Sequence, residues 1–298
     1  MTWQRVEQWL GTDNLQLLAA KRVGVVGLGS GGGFVALSLA MSGVQHFVLV
    51  DSDVLEAGNV VRHVCDLRYV GQNKAAAVAD LIRHRNPAAQ IEVREGRIEA
   101  HMDALDALDV LVVGVDGENA KFIINQACLE KRLTAVYAGV YERGEGGDVV
   151  IIRPYDGPCY ACWADELRQG VMQPRPGTGA ELDYGMIGEE GTLEAEPALW
   201  LHVTKVASIQ ADVVLNELLR GTSVSEDMPA NTIVIANNSM EIVDGEITDP
   251  HTGLWIDIAR NPECLVCGDK MRLTDERHAA LSLQDLGGDI VFEEDSVE

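Results

Sequence analysis

Short runs of unbroken apolar residues alternate along the chain with stretches whose apolar positions recur at helical spacing. RVGVVGLG (Arg22 to Gly29), HFVLVD (His46 to Asp51), VLVVGVD (Val110 to Asp116) and TAVYAG (Thr134 to Gly139) are runs of the first kind, and Ile91 to Val93 is a shorter one. Between them Phe34 to Met41, Lys74 to His84 and Asn119 to Lys131 read as helices, the second stopping before Pro87. Strands apolar on both faces need cover on both. The alternation therefore predicts an α/β, Rossmann-like, mostly parallel sheet with helices on both faces. Residues 2–20 read as a helix interrupted at Gly11, with Trp3, Val6, Trp9 and Leu10 on one face. After Gly144 the order changes. Asp148 to Pro154 reads as a strand, and 163–197, rich in Gly, Pro and acids, as a long loop. Residues 198–220 read as a long helix. Thr232 to Asn237 and Met240 to Ile247 read as a hairpin turning at Asn237 and Asn238, an antiparallel C-terminal extension. Residues 269–298 read as a short helix with a frayed acidic tail.

The first strand runs into GLGSGG, which fits GxGxxG between a strand and a helix. Such a turn lets backbone approach a pyrophosphate at a helix N-terminus, so Gly27, Gly29, Ser30 and Gly32 are candidate phosphate contacts. Asp51 ends the next strand, where an acid can bind ribose hydroxyls. The pattern does not separate NAD from ATP, and an NAD-dependent oxidoreductase stays open at this point. Val23 to Val50 carries no Asp, Glu, Lys or Arg, but the glycines from Gly24 to Gly33 break it into strand, turn, helix and strand rather than a membrane span.

Charge narrows the partners. With 47 acids against 23 bases the net charge is −24, a field that repels nucleic acid and anionic membranes. MTWQRVEQWLG lacks the basic and apolar segments of a signal peptide, so a cytoplasmic protein is expected. Six cysteines occur. Cys159, Cys162, Cys264 and Cys267 form two CxxC pairs, a ligand set for one tetrahedral structural Zn²⁺ with no open position. Cys65 and Cys128 stand alone in apolar settings and are expected to be inert.

GLGSGG, LVDSDVLEAGNVVRH, VGQNKA, VDGENAK, GPCYACW and CLVCG follow one another in that order. Together they resemble the ubiquitin-activating-enzyme-like family, whose bacterial members include ThiF, MoeB and HesA. The resemblance runs from about Arg5 to Gly268. It implies ATP-dependent adenylation of the C-terminal carboxylate of a small ubiquitin-like or sulfur-carrier protein, or a peptide, ending Gly-Gly. Carried over, the glycine turn holds phosphates and Asp51 holds the ribose. Asn59, Arg62 and Lys74 hold the triphosphate, and Asp116 binds Mg²⁺. Arg5 matches an arginine that reaches into the partner's site of a homodimer. His63 stands where the family usually has Gln and reads as a local substitution, not a base. Many relatives carry a further cysteine after the first CxxC, but between Trp163 and Glu263 this chain has none. That implies an enzyme that stops at the acyl-adenylate, with 174–191 guiding the substrate's tail.

Residues 1–298 are then one adenylation domain: a nucleotide-binding half (1–150), a zinc-bearing, carrier-docking half (151–268) and an acidic tail (269–298). Each candidate has a plainer alternative: a surface charge at Arg62, an exposed helix face at Lys74, a turn residue at Asn59 and a helix cap at Asp116. A non-catalytic partner subunit and a tRNA-modifying dehydratase are the other family-level readings. The retained ATP residues oppose the first, and the acidic charge and cysteine pattern oppose the second.

Overall fold

The fold comes from a computed structural model that describes residues 2–171, 198–243 and 245–269. Gly11, at φ +80°, separates α1 (Gln4–Leu10) from α2 (Thr12–Ala20), as the apolar pattern implies. The elements then alternate: β1 (Arg22–Val26), α3 (Gly32–Ser42), β2 (His46–Asp51), α4 (Lys74–Arg85), β3 (Gln90–Glu95), β4 (Val110–Val113), α5 (Glu118–Lys131) and β5 (Ala135–Val140). After them come β6 (Gly146–Ile152), α6 (Tyr160–Val171), α7 (Trp200–Leu218), β7 (Thr232–Ala236), β8 (Met240–Val243), β9 (Glu246–Thr248) and β10 (Gly253–Ile256).

Eight strands form one sheet in the order β10-β7-β6-β5-β4-β1-β2-β3. β1 to β5 are parallel, and β6, β7 and β10 each join antiparallel to the strand before them in the sheet. Alternate residues feed two cores. Val23, Val25, Phe47, Leu49, Val110 and Val112 pack with α3, α4 and α7. Val26, Val48, Val50, Leu111, Val113 and Tyr137 pack with α5 and α6 on the other face. Two polar contacts, one buried and one partly buried, fix α7. Gln210 donates to the carbonyls of Val113 (3.2 Å) and Val136 (2.9 Å), at the ends of β4 and within β5. The Arg153 guanidinium meets Glu217 at 3.0 and 2.5 Å.

Two expectations are corrected. The hairpin from Thr232 to Ile247 does not form. All five residues of β7 are buried, and a wholly buried strand needs neighbours on both edges, which β6 and β10 supply. The Asn237 and Asn238 amides donate to the Glu145 carbonyl (2.8 and 2.9 Å) instead of closing a turn, and the half-exposed β8 pairs with β9. The loop expected over 163–197 is helical to Val171, since α6 grows straight out of the first CxxC. Residues 172–197 and 270–298, with the expected tail guide and acidic tail, lie outside the described residues. Among the described residues no helix is long and apolar enough to cross a membrane.

Candidate functional site

The order β5-β4-β1-β2-β3 reverses direction of growth between β1 and β4, and open α/β sheets bind ligands in the crevice at such a point, beyond the carboxyl ends of the strands. The glycine turn leaves β1 there. Gly27 has φ +87°, a conformation that L side chains rarely adopt. A Cβ on Gly32 would lie 1.9 Å from the Gly27 carbonyl oxygen, and one on Gly114, after β4, would lie 2.8 Å from the same atom. The turn therefore closes on itself and on the β4 exit. Gly29 is different: nothing lies within 4 Å of a Cβ built there, so the turn is open at that position.

Asp51 is buried at the end of β2. Its carboxylate accepts the N–H of Leu28 (Oδ2, 2.5 Å) and of Asp53 (Oδ1, 2.8 Å). Burial raises its pKa, and those two N–H groups and the Lys74 ammonium oppose the rise by favouring the charged form. The segment after it folds back as a 3₁₀ helix, Ala57–Arg62, closed by a reciprocal cap in which Asn59 Oδ1 accepts the Glu56 N–H (3.0 Å). Asn73 caps α4 by accepting the N–H groups of Ala75 and Ala76, and its amide donates to the Asp51 carbonyl (2.9 Å). That tether brings Lys74, the first residue of α4, to the mouth of β2.

Asp53, Val54, Glu56, Asn59 and Lys74 line an open cleft of about 310 Å³. Within it Lys74 Nζ pairs with Asp53 Oδ2 at 2.8 Å, and this bond holds the Asp53 carboxyl below the usual carboxylate range. In sequence Asp53 has the look of a solvated turn acid, and it is indeed 62% exposed. The signal available was its place two residues beyond Asp51, but only the fold brings the ammonium to it. Arg62 is exposed at the end of the 3₁₀ helix, and Asp116 is exposed between β4 and α5. Neither side chain has a hydrogen bond or ion pair with another described residue. The cap reading of Asp116 is not realised: Gly117 is the N-cap of α5, with no side-chain cap bond. Arg5 is exposed on α1, and no bond joins it to the other candidates.

The four paired cysteines converge beside α5. Their sulfurs all lie within 4.8 Å of one another, with Cys159–Cys162 and Cys159–Cys264 at 3.8 Å and Cys162–Cys267 at 3.5 Å. A tetrahedron of Zn–S bonds of about 2.3 Å has edges of about 3.8 Å, so the set fits one tetrahedral thiolate-bound ion with no open position. A hydrogen bond from Cys267 and the backbone N–H groups of Cys162 and Ala161 lower the Cys159 thiol to about 5, whereas burial and the charge on Cys159 raise Cys162. Such a set could hold a cation if all four sulfurs were deprotonated. Cys65 and Cys128 are buried, and burial pushes both thiols up to about 12. That is the wrong direction for a nucleophile.

Residues 4–249 match the sequence model of the ThiF family. The SAMP-activating enzyme E1 of Haloferax volcanii is 28% identical over 264 residues, covering 87% of this chain and 85% of its own length. Ubiquitin-like modifier-activating enzyme 5 of Caenorhabditis elegans is 31% identical over 164 residues, or 50% of this chain, and the match spans only 39% of that protein. Among solved structures, the Microcin C7 biosynthetic enzyme MccB in complex with N-formylated MccA superposes with a TM-score of 0.65 at 21% identity, over 86% of this chain and 70% of that one. Identity at that level bears on the fold alone.

Proposed function

The chain belongs to the ThiF family, and on that footing we propose that it uses ATP to adenylate the C-terminal carboxylate of a small ubiquitin-like or sulfur-carrier protein or peptide ending Gly-Gly. The observation that carries this reading is the common origin of the open turn at Gly29, the Lys74 ammonium and the Asp116 carboxylate. All three sit on segments that leave the carboxyl ends of β1, β2 and β4. Support also comes from relatives named as activating enzymes.

The chemistry explains the residue types. A carboxylate is a weak nucleophile and ATP repels it. In the step, a carboxylate oxygen bonds to the α-phosphorus while the bond to the leaving pyrophosphate breaks. Arg62 and Lys74 neutralise triphosphate oxygens, and the Asn59 amide donates to them. Asp51 keeps acceptor capacity for ribose hydroxyls beyond its bonds to Leu28 and Asp53. Mg²⁺, held through Asp116, supplies further charge neutralisation on the phosphates. Zn²⁺ in the four-cysteine cluster is structural, because a closed thiolate shell leaves no place for substrate. The enzyme acts in the cytoplasm as a homodimer, with Arg5 of each copy serving the other's site. No cysteine of the chain takes over the acyl group: the adenylate passes to an outside sulfur or amine. A non-reducing gel of chain, carrier and ATP·Mg²⁺ is expected to show no thiol-labile adduct, and such a band would overturn this part of the reading.

Small Gly-Gly-ending proteins, tried one at a time in an ATP–pyrophosphate exchange assay, test the whole. Exchange that depends on one carrier is expected. None with any carrier refutes adenylation of this substrate class. Two glycine variants separate fold from binding. Gly32→Ala drives a Cβ into the Gly27 carbonyl and is expected to lower stability by about 1–3 kcal/mol. Gly29→Ala meets open space, so it should melt with the parent chain and yet bind ATP more weakly, read by calorimetry.

A further inference from the structure

Both backbone groups of Leu28, at the middle of the glycine turn, are met by side chains from elsewhere in the chain. Asp51 Oδ2 accepts its N–H at 2.5 Å, and His63 Nε2 lies 2.7 Å from its carbonyl oxygen. His63 is 5% exposed. Its other nitrogen, Nδ1, is 3.0 Å from the backbone nitrogen of Cys65. A backbone N–H can only donate, so Nδ1 accepts, and the ring proton sits on Nε2 and is donated to Leu28. The two bonds together admit only the neutral ring, because a second proton, on Nδ1, would face the Cys65 N–H.

We propose that His63 is a positioning residue for the nucleotide: its neutral imidazole, acting with Asp51, holds the glycine turn in the shape that receives phosphate, and protonation releases the turn. The role in nucleotide binding rests on the ATP reading above, whereas the clamp itself does not. The turn needs such a brace because the Leu28 carbonyl precedes the first helical bond of α3, which runs from the Gly33 N–H to Gly29. Asp51, at the end of β2, favours the imidazolium, and Lys74, at the start of α4, opposes it. The Cys65 thiol stays neutral, and α3, beside the turn, carries no titratable side chain. Burial is the largest influence and holds the ring below its ordinary value of 6.5. The sign follows: the unfolded ring takes up its proton more readily than the folded one. The clamp is therefore fully present above about pH 6.5 and is lost as the pH falls through the lowered value.

Hydrogen–deuterium exchange across residues 27–33, in the nucleotide-free chain at about pH 7.5 and about pH 5.5, tests the clamp, with ATP·Mg²⁺ titrations alongside. After correction for intrinsic exchange, the parent chain should lose about tenfold in protection at the lower pH, and its ATP affinity should fall in parallel. His63→Gln keeps a donor for Leu28 and an acceptor for Cys65 but does not titrate. Its protection should be flat between the two pH values and should restore what His63→Ala loses. The same pH dependence in the parent chain and in His63→Gln overturns the clamp, and that comparison stands even if His63→Ala does not fold. Protection that behaves as expected, in a chain that binds ATP at neither pH, upholds the clamp and removes the adenylation reading instead.

Discussion

Replacing Lys74 by alanine will lower carrier-dependent ATP–pyrophosphate exchange by roughly 10²–10³-fold while moving the melting temperature by no more than about 2 °C. The two effects part company because, among the described residues, Lys74 pairs only with Asp53, while the proposed reaction gives it a separate catalytic task. Its folding partner, Asp53, is 62% exposed, and an ion pair with so open a carboxylate adds little stability. Under the proposed adenylation, its catalytic task is to face the charge that builds on the departing pyrophosphate. There a fixed ammonium acts only when the transition state forms, because the site is shaped before substrate arrives: Asn73 caps α4 and holds on to the Asp51 carbonyl. Lys74→Arg should recover little, since a planar fork does not replace a point charge on a short reach. Kinetics and calorimetry on the same preparations check the claim. A rate loss under about threefold would take Lys74 out of the site.

The second large effect is on stability. Cys159→Ser, or stripping of the metal by a strong chelator, is expected to cost about 3 kcal/mol, roughly 5–10 °C in Tm, with about one zinc per chain released. The figure stays below the full binding energy of a zinc-finger peptide because this chain has a large core of its own. The cluster nonetheless anchors much. The Tyr160 amide donates to Asn125 on α5 (2.9 Å), and the Tyr160 ring stacks between Tyr137 and Trp163, at 4.6 and 5.3 Å. Trp163 donates to Thr232 of β7 (3.1 Å), and Arg260 donates to the Cys267 carbonyl (2.8 Å). Loosening the sulfurs loosens α6 against both α5 and β7. Zinc analysis with thermal melts of the parent and Cys159→Ser chains decides. Equal melting of the two would show that the cysteines carry no structural metal.

The parallel part of the sheet was legible because each strand writes its own signal. VLV in β2 and VLVV in β4 are buried on both faces, and a run with no polar face has few alternatives. The glycine turn was legible in part for the same reason: Gly32 packs on the Gly27 carbonyl five residues back, whereas the contact of Gly27 with Gly114 is long-range and was not. The pairing of β7 with β6 and β10 was not. TIVIA is as compatible with a hairpin arm as with an interior strand until β10, twenty residues on, is seen to flank it. Asn59, Arg62, Lys74 and Asp116 are candidates only through the order of motifs, since an exposed lysine at a helix start looks the same whether or not it meets a nucleotide. The Lys74–Asp53 pair and the His63 clamp escaped reading altogether. Each depends on the distance between segments 21 and 35 residues apart, which no local pattern reports.

That same separation along the chain has a consequence for the cysteine cluster. Its two halves are 105 residues apart, and α7, β7 and β10 all lie in the interval. During synthesis the first CxxC emerges with only two thiolates to offer, too few to close a tetrahedral shell. The second arrives only after the last strand of the large sheet has been made. Capture of a metal by all four sulfurs would therefore have to wait until β10 is made, and it would close a long loop whose ends the sheet has already brought together. A chain truncated before Cys264 would keep the bonds of Tyr160 to Asn125 and of Trp163 to Thr232 but would lose the four-sulfur closure at the start of α6.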